Sequence, residues 1–211
     1  MNHPRRQAIR AAAALGVMGL TGAPWHARAR VVDADDRDAP APTPRLTDGP
    51  YYPAAFAPAP SVTLVTGALV PQARPLSLGG RVVDRGGRPV AGARVEIWQC
   101  DANRRYHHPD DTGATPLDTG FAGYGWQPSG ADGGYRFETI RPVAYPGRTP
   151  HIHVKVRIDR RAVLSSQIFM PDESDSNQRD FLWRQLGGAA QPLALATLVG
   201  DAQARFDIVV G

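Results

Sequence analysis

Apolar and polar positions alternate over residues 76–84, 134–140 and 152–158, the spacing of strands that bury one face. Residues 90–100 do the same, with Val95, Ile97 and Cys100 set against polar neighbours, and the turn at 85–89 (RGGRP) separates them from the first run. A short turn joins 152–158 to a further strand at 163–170, and 205–210 supplies the last one. One stretch changes period. Over 174–186, Phe181, Leu182 and Leu186 form the apolar side of a short helix with Asp175 or Ser176 as its cap. Gly80-x-Val82-x-Asp84, continuing to Val95, is a frequent opening of small β-sandwich modules. The expected fold is all-β, a β-sandwich with long loops and one short helix.

The N-terminal part lies outside this pattern. Arg5 and Arg6 precede the apolar run 11–23, and Ala27-Arg28-Ala29 has the form of a cleavage site, so residues 1–29 read as an export signal. The paired arginines favour the twin-arginine route over the general secretory one, and the apolar run is too short for a membrane span. Residues 30–46, rich in Pro, Ala and Asp, read as a flexible linker or extended arm. That leaves 47–211 as a single catalytic-sized domain, expected in the periplasm or outside the cell. Setting aside Arg5, Arg6, Arg10 and Arg28, with no acid beside them, reduces the formal charge from +4 to zero. No electrostatic case remains for binding nucleic acid or an anionic membrane. Cys100 is the only cysteine, so no internal disulfide is available, and a buried apolar role suits it.

Candidate chemistry concentrates in two places. Residues 101–130 form a long irregular stretch carrying Tyr106, His107, His108, Tyr124 and Trp126, an aromatic load that points to function. Residues 141–155 carry Tyr145, Arg148 and the pair His151-x-His153, whose imidazoles an extended chain presents on one face. A His-x-His pair alone is half a metal site. Zinc would want a third His, Cys or carboxylate, and no acid follows His153 until Asp159. Tyr106 and Tyr145 are better candidates, because only a strongly charged ion would ionise a buried phenol at neutral pH. Two tyrosinates and two imidazoles point to Fe(III). Upstream, Tyr51 and Tyr52 in the proline-flanked segment 47–53 serve either as packing or as pocket lining.

The segments WQCDANRRYHH, FAGYG, GYRFETIRPVAYP and RTPHIH, followed by LSSQIF, resemble the intradiol ring-cleavage dioxygenases, most closely the protocatechuate 3,4-dioxygenase beta-chain branch. The resemblance runs from about Thr47 to Met170. It implies a non-haem Fe(III) held by Tyr106, Tyr145, His151 and His153, with Tyr106 staying bound and Tyr145 released when substrate arrives. Arg148 would stabilise negative charge on the substrate ring, Gln167 would hydrogen-bond beside it, and Trp98 would pack behind the site. The implied reaction is O2-dependent cleavage of a catechol-type small molecule to a cis,cis-muconate-type diacid. Only Pro-Gly-Arg-Thr-Pro separates Tyr145 from His151, shorter than in the protocatechuate enzymes, and Gly147 stands where an aromatic is common. The resemblance leaves the oligomeric state open. A secreted β-sandwich binding module, an inactive relative without iron chemistry and a zinc hydrolase are the rival readings of the same residues.

Overall fold

The alternating pattern is realised as nine strands in a computed structural model that describes residues 39–54 and 59–211. The expected export signal lies outside these residues. The strands are β1 (Pro75–Asp84), β2 (Arg94–Trp98), β3 (Tyr124–Pro128), β4 (Gly134–Ile140), β5 (His151–Ile158), β6 (Arg161–Phe169), β7 (Thr197–Leu198), β8 (Gln203–Arg205) and β9 (Ile208–Val210). One sheet runs β4-β1-β8-β7 with β9 also against β1, and the other runs β3-β2-β5-β6. The expected β-sandwich is the observed architecture. Among the described residues no helix is long and apolar enough to cross a membrane.

The core lies between the sheets, where Leu76, Leu78 and Phe137 of the first meet Val95, Ile97, Ile152, Val154, Val156 and Ile168 of the second. Alternation therefore turns Trp98, His151, His153 and Gln167 to the outer face of the second sheet. Each buried Leu, Ile or Phe is worth about 1.5–3 kcal/mol. A one-residue slip of β5 would put His151, His153 and Lys155 into the core in place of Ile152, Val154 and Val156, so core packing fixes the direction of the histidines. At Gly80 a Cβ would stand 1.9 Å from the Phe206 carbonyl oxygen, so glycine lets the C-terminal strands lie against β1.

Several expectations are corrected. The long stretch 101–130 contains β3, paired with β2 so that Trp98 faces Tyr124 and Glu96 faces Trp126. Its Tyr-Gly-Trp alternation is a strand signal inside a segment that otherwise reads as loop. The expected strand 205–210 is split into β8 and β9, because the Asp207 carboxylate accepts the Arg81 N–H at 2.9 Å where a backbone carbonyl would serve in a continuous ladder. The single helix is two, α1 (Ser174–Arg179) and α2 (Phe181–Leu186). The chain is extended at Asp180 between them, and the Asp180 carboxylate caps α2 through the N–H groups of Leu182 and Trp183. Glu173, with no side-chain cap bond, precedes α1 in place of Asp175 or Ser176. Leu182 and Trp183 are buried, whereas Phe181 is 56% exposed.

The described part of the expected linker, 39–46, runs as a fixed arm. The Thr43 N–H donates to the Val209 carbonyl at 3.1 Å, the Val209 N–H donates to Thr43 Oγ1 at 2.9 Å, and Leu46 N–H reaches the Ser165 carbonyl at 2.9 Å. Asp48 then takes Lys155 Nζ at 2.5 Å and the Ser165 hydroxyl. The arm thereby covers the outer face on which the histidines stand.

Candidate metal centre

Trp98, His153 and Gln167 form one row across β2, β5 and β6, each directly opposite its neighbour in register. The Trp98 and His153 rings lie flat together, with centroids 4.7 Å apart and planes 10° from parallel. His151 is held differently, by its Nδ1 hydrogen bond at 2.7 Å to the Thr149 carbonyl. With Nδ1–H donating there, Nε2 carries the free lone pair and faces His153 Nε2 across 3.2 Å. Tyr106 and Tyr145 complete the cluster, their rings 5.5 Å apart, with Tyr106 6.2 Å from the His153 ring and Tyr145 5.6 Å from that of His151. The structure thus gathers all four predicted ligands in one place.

The loop that carries Tyr106 is knit by two carboxylates. Asp101 accepts the N–H groups of Asn103, Arg105 and Asp118, and Asp111 accepts the Tyr106 N–H at 2.5 Å and Arg105 Nε at 2.8 Å. Tyr145 and Arg148 bracket a tight turn closed by the Arg148 N–H to the Tyr145 carbonyl at 2.9 Å. From this turn Arg148 sends Nη1 to the Tyr145 hydroxyl at 3.4 Å, Nη2 to Gln167 Oε1 at 2.5 Å and Nε to Asp180 Oδ2 at 2.7 Å.

The buried Tyr106 hydroxyl makes no hydrogen bond of ordinary geometry within the protein, although the Tyr145 hydroxyl lies near enough to act on its proton. Such an orphaned oxygen, in one cluster with two imidazoles whose Nε2 atoms face each other across 3.2 Å, fits a cation ligated by all of them. Burial first, then the neighbouring Tyr145 and Cys100 side chains, hold the Tyr106 phenol well above its ordinary pKa, against the opposing Arg148 charge. Burial also raises Tyr145, again against Arg148. His151 is pushed down to about 3 by burial and then by Arg148, with the Thr149 carbonyl opposing. His153 is held well below its usual range by burial, His151 and Arg148. The imidazoles are therefore neutral donors, and the phenols stay protonated unless a strongly charged ion ionises them. Among the described residues no three His, Cys, Asp or Glu side chains converge as a metal cluster, so the zinc alternative finds no third ligand of its usual kind.

A cavity of about 350 Å³ adjoins the cluster through Tyr106 and Trp98, with Tyr51, His107 and Tyr124 also in its wall. Tyr51 stacks on Tyr106 at 4.6 Å, so it is pocket lining. Tyr52 is packing. Its ring meets Trp98 edge-on at 4.9 Å, and its hydroxyl donates at 2.6 Å to Glu96, which also pairs with Arg94 and Arg157. Cys100 is buried beside Tyr106, its thiol pushed up to about 12 by burial and by Asp101.

Sequence reasoning missed Asp180, Asn177 and Gly49. The Asn177 side chain accepts the Thr149 hydroxyl at 2.8 Å and donates to the Met170 carbonyl at 2.9 Å, fixing the residue whose carbonyl orients His151. Gly49, at φ +71°, brings the arm to His153, where a Cβ would lie 3.4 Å from Cε1. Asp180 did leave a signal, since an Asp before Phe-Leu-Trp is a cap pattern.

A family model for dioxygenases matches residues 47–177. The protocatechuate 3,4-dioxygenase beta chain of Burkholderia cepacia is 42% identical over 102 residues, which cover 44% of this chain and 43% of that one. Hydroxyquinol 1,2-dioxygenase of Nocardioides simplex is 30% identical over 165 residues, 64% of this chain and 54% of that protein. The chain thus spans about half the length of these curated relatives. Among solved structures, the dioxygenase domain of a dioxygenase carbohydrate-binding protein fusion from Streptomyces sp. SirexAA-E is 36% identical. It superposes with a TM-score of 0.58 over 80% of this chain and 97% of that one. With the fold, the clustered tyrosines and histidines and a family match over most of its length, the chain belongs to the intradiol ring-cleavage dioxygenases.

Proposed function

We propose that the protein is a non-haem iron(III) enzyme that uses O2 to open the ring of a catechol-type aromatic between its two hydroxylated carbons, giving a cis,cis-muconate-type diacid. The observation that carries this reading is the orphaned Tyr106 hydroxyl, buried in one cluster with the facing Nε2 atoms of His151 and His153 and with Tyr145. Tyr106, Tyr145, His151 and His153 would hold the ion. Ferric iron held there would supply Lewis-acid chemistry toward the two oxygens of a catechol-type substrate.

The chain's own residues do the rest. Tyr145 is the more exposed phenol and sits on a turn, so it is the one placed to swing aside and take up a substrate hydroxyl proton at its Oη. Arg148, tied to Tyr145 in the substrate-free protein, is left with Nη1 free when Tyr145 moves, and its charge stabilises the negative charge developing on the ring. Gln167 holds Nη2 of Arg148 through Oε1 and so limits where that charge can go. Trp98 and the arm around Gly49 keep water from the His153 side. Export, by the twin-arginine route, remains our reading of residues 1–29, and N-terminal sequencing of the mature protein tests it.

Purified protein is expected to contain one iron and to be red-brown from phenolate-to-iron charge transfer. It should take up O2 with one or more of a panel of substituted catechols, and the diacid should be identifiable in the product. A colourless protein holding zinc, or no O2 uptake across the panel by the iron-loaded protein, sinks the proposal.

A further inference from the structure

The Arg148 side chain is 8% exposed and that of Asp180 is fully buried, and the two meet at 2.7 Å between Nε and Oδ2. A buried carboxylate needs charge or hydrogen-bond partners, and Asp180 has four donors. Its Oδ2 also accepts the Thr149 N–H at 3.0 Å, while Oδ1 accepts Leu182 and Trp183 N–H at 2.9 and 3.1 Å. With both oxygens committed and the α1–α2 junction built around it, the carboxylate has no freedom to rotate. Guanidinium is planar, so fixing Nε on Asp180 and Nη2 on Gln167 also fixes where Nη1 points, which is at the Tyr145 hydroxyl. The anion grips the Nε edge, leaving the cation's opposite end turned toward the cluster.

We propose that Asp180 is the positioning residue for Arg148, the device that keeps the cation aimed into the site once Tyr145 has moved away. The inference rests on the function proposed above. Asp180 touches none of the four candidate ligands through its side-chain hydrogen bonds, so it acts through Arg148 and the neighbouring Thr149 backbone. The bracket also explains why the helix expected over 174–186 is broken at one residue, since an extended Asp180 can face both α2 and the 148–149 segment.

The test is a cycle of four proteins: the parent, Asp180→Asn, Arg148→Ala and the double variant. Asparagine retains an oxygen for the α2 cap but removes the charge that Arg148 Nε pairs with. Asp180→Asn is expected to keep its iron, to lose at least tenfold in kcat with KM changed less than threefold, and to cost less than a further twofold in the Arg148→Ala background. In the metal-free proteins each single change is expected to lower the melting temperature, and the double variant is expected to melt no lower than the less stable single one. Should Asp180→Asn not fold, Arg148→Lys serves. It keeps the charge, the cap and the Thr149 bond but lacks Nε–H, and is expected to keep iron and lose tenfold in kcat. Parent-like turnover of Asp180→Asn, or of Arg148→Lys where that is used, overturns the inference alone. So does a loss in the Arg148→Ala background as large as in the parent. An iron-loaded parent that takes up no O2 with any catechol overturns the proposed function and this inference with it.

Discussion

The indole of Trp98 lies flat against the imidazole of His153, 4.7 Å between centroids, and this contact takes the place of a hydrogen bond to His153 Nδ1, which has none in the protein. His151 is oriented by a carbonyl and His153 by a ring face. Stacked aromatic pairs are worth about 0.5–1.5 kcal/mol beyond area burial, and 1.4 kcal/mol is tenfold in affinity. Trp98→Leu, which keeps an apolar side chain but removes the ring face, should therefore fold and weaken iron binding by about two- to tenfold, read by competition with a chelator. Trp98→Ala adds a cavity and should lose about 3–5 kcal/mol of stability. Unchanged iron affinity in Trp98→Leu would mean that the stack does not orient the ligand.

Tyr106 makes opposite demands with and without metal. Its orphaned hydroxyl penalises the metal-free fold, and an unsatisfied buried polar group costs about 1–3 kcal/mol. Tyr106→Phe should raise the melting temperature of the metal-free protein by a few degrees, about 2–4 °C per kcal/mol at this size. The same change should remove most of the bound iron and the colour. A metal-free protein destabilised by the substitution would show that the hydroxyl has a partner after all.

The buried imidazoles set the acid side of stability. His151 is lowered to about 3 and His153 well below its normal value, so as pH falls through the unfolded histidine range, near 6.5, the unfolded chain takes up protons that the fold refuses. Stability of the metal-free protein should then fall with pH, approaching about 1.4 kcal/mol per pH unit for each histidine below that range. For Asp180, burial raises the pKa, but the Arg148 hydrogen bond and the Thr149 N–H outweigh it and hold the group low. Its contribution is present above the unfolded aspartate range and is lost as pH drops through and below about 4, the same direction. Urea unfolding of the metal-free protein between pH 7.5 and 4.5 measures the histidine part. A profile no flatter after His151→Asn and His153→Asn would remove the histidines as its cause.

What the sequence made legible was mostly what depends on short-range spacing. The period of two in β5 aims His151 and His153 to one side, and the compact turn from Tyr145 keeps Arg148 beside them, so both could be read from residues a few positions apart. Tyr106 comes from a long loop, and its meeting with the histidines became readable through the family resemblance. The rest is long-range. Asp180 contacts Arg148 across 32 positions, and Asp48 meets Lys155 across 107, separations at which no periodicity operates. Tyr51 and Tyr52, adjacent and alike in sequence, part company because only the Tyr52 hydroxyl reaches the Glu96 carboxylate under the arm.

Gly49 lets the arm test how closely His153 is held. It occupies the left-handed region at φ +71°, and a Cβ there would stand 3.4 Å from His153 Cε1 and 3.9 Å from Nε2. An L residue in that conformation costs about 1–2 kcal/mol whatever surrounds it, so lost stability alone would say nothing about the site. Gly200 provides the comparison: it has φ +70° and no atom within 4 Å of the added Cβ. Gly49→Ala and Gly200→Ala should lose similar stability, about 2–4 °C of melting temperature per kcal/mol. Only Gly49→Ala brings a methyl into van der Waals contact with the imidazole, so any weakening of iron binding or shift of the visible band should be confined to it. If the two variants bound iron alike, the approach of the arm to His153 would be packing without influence on the centre.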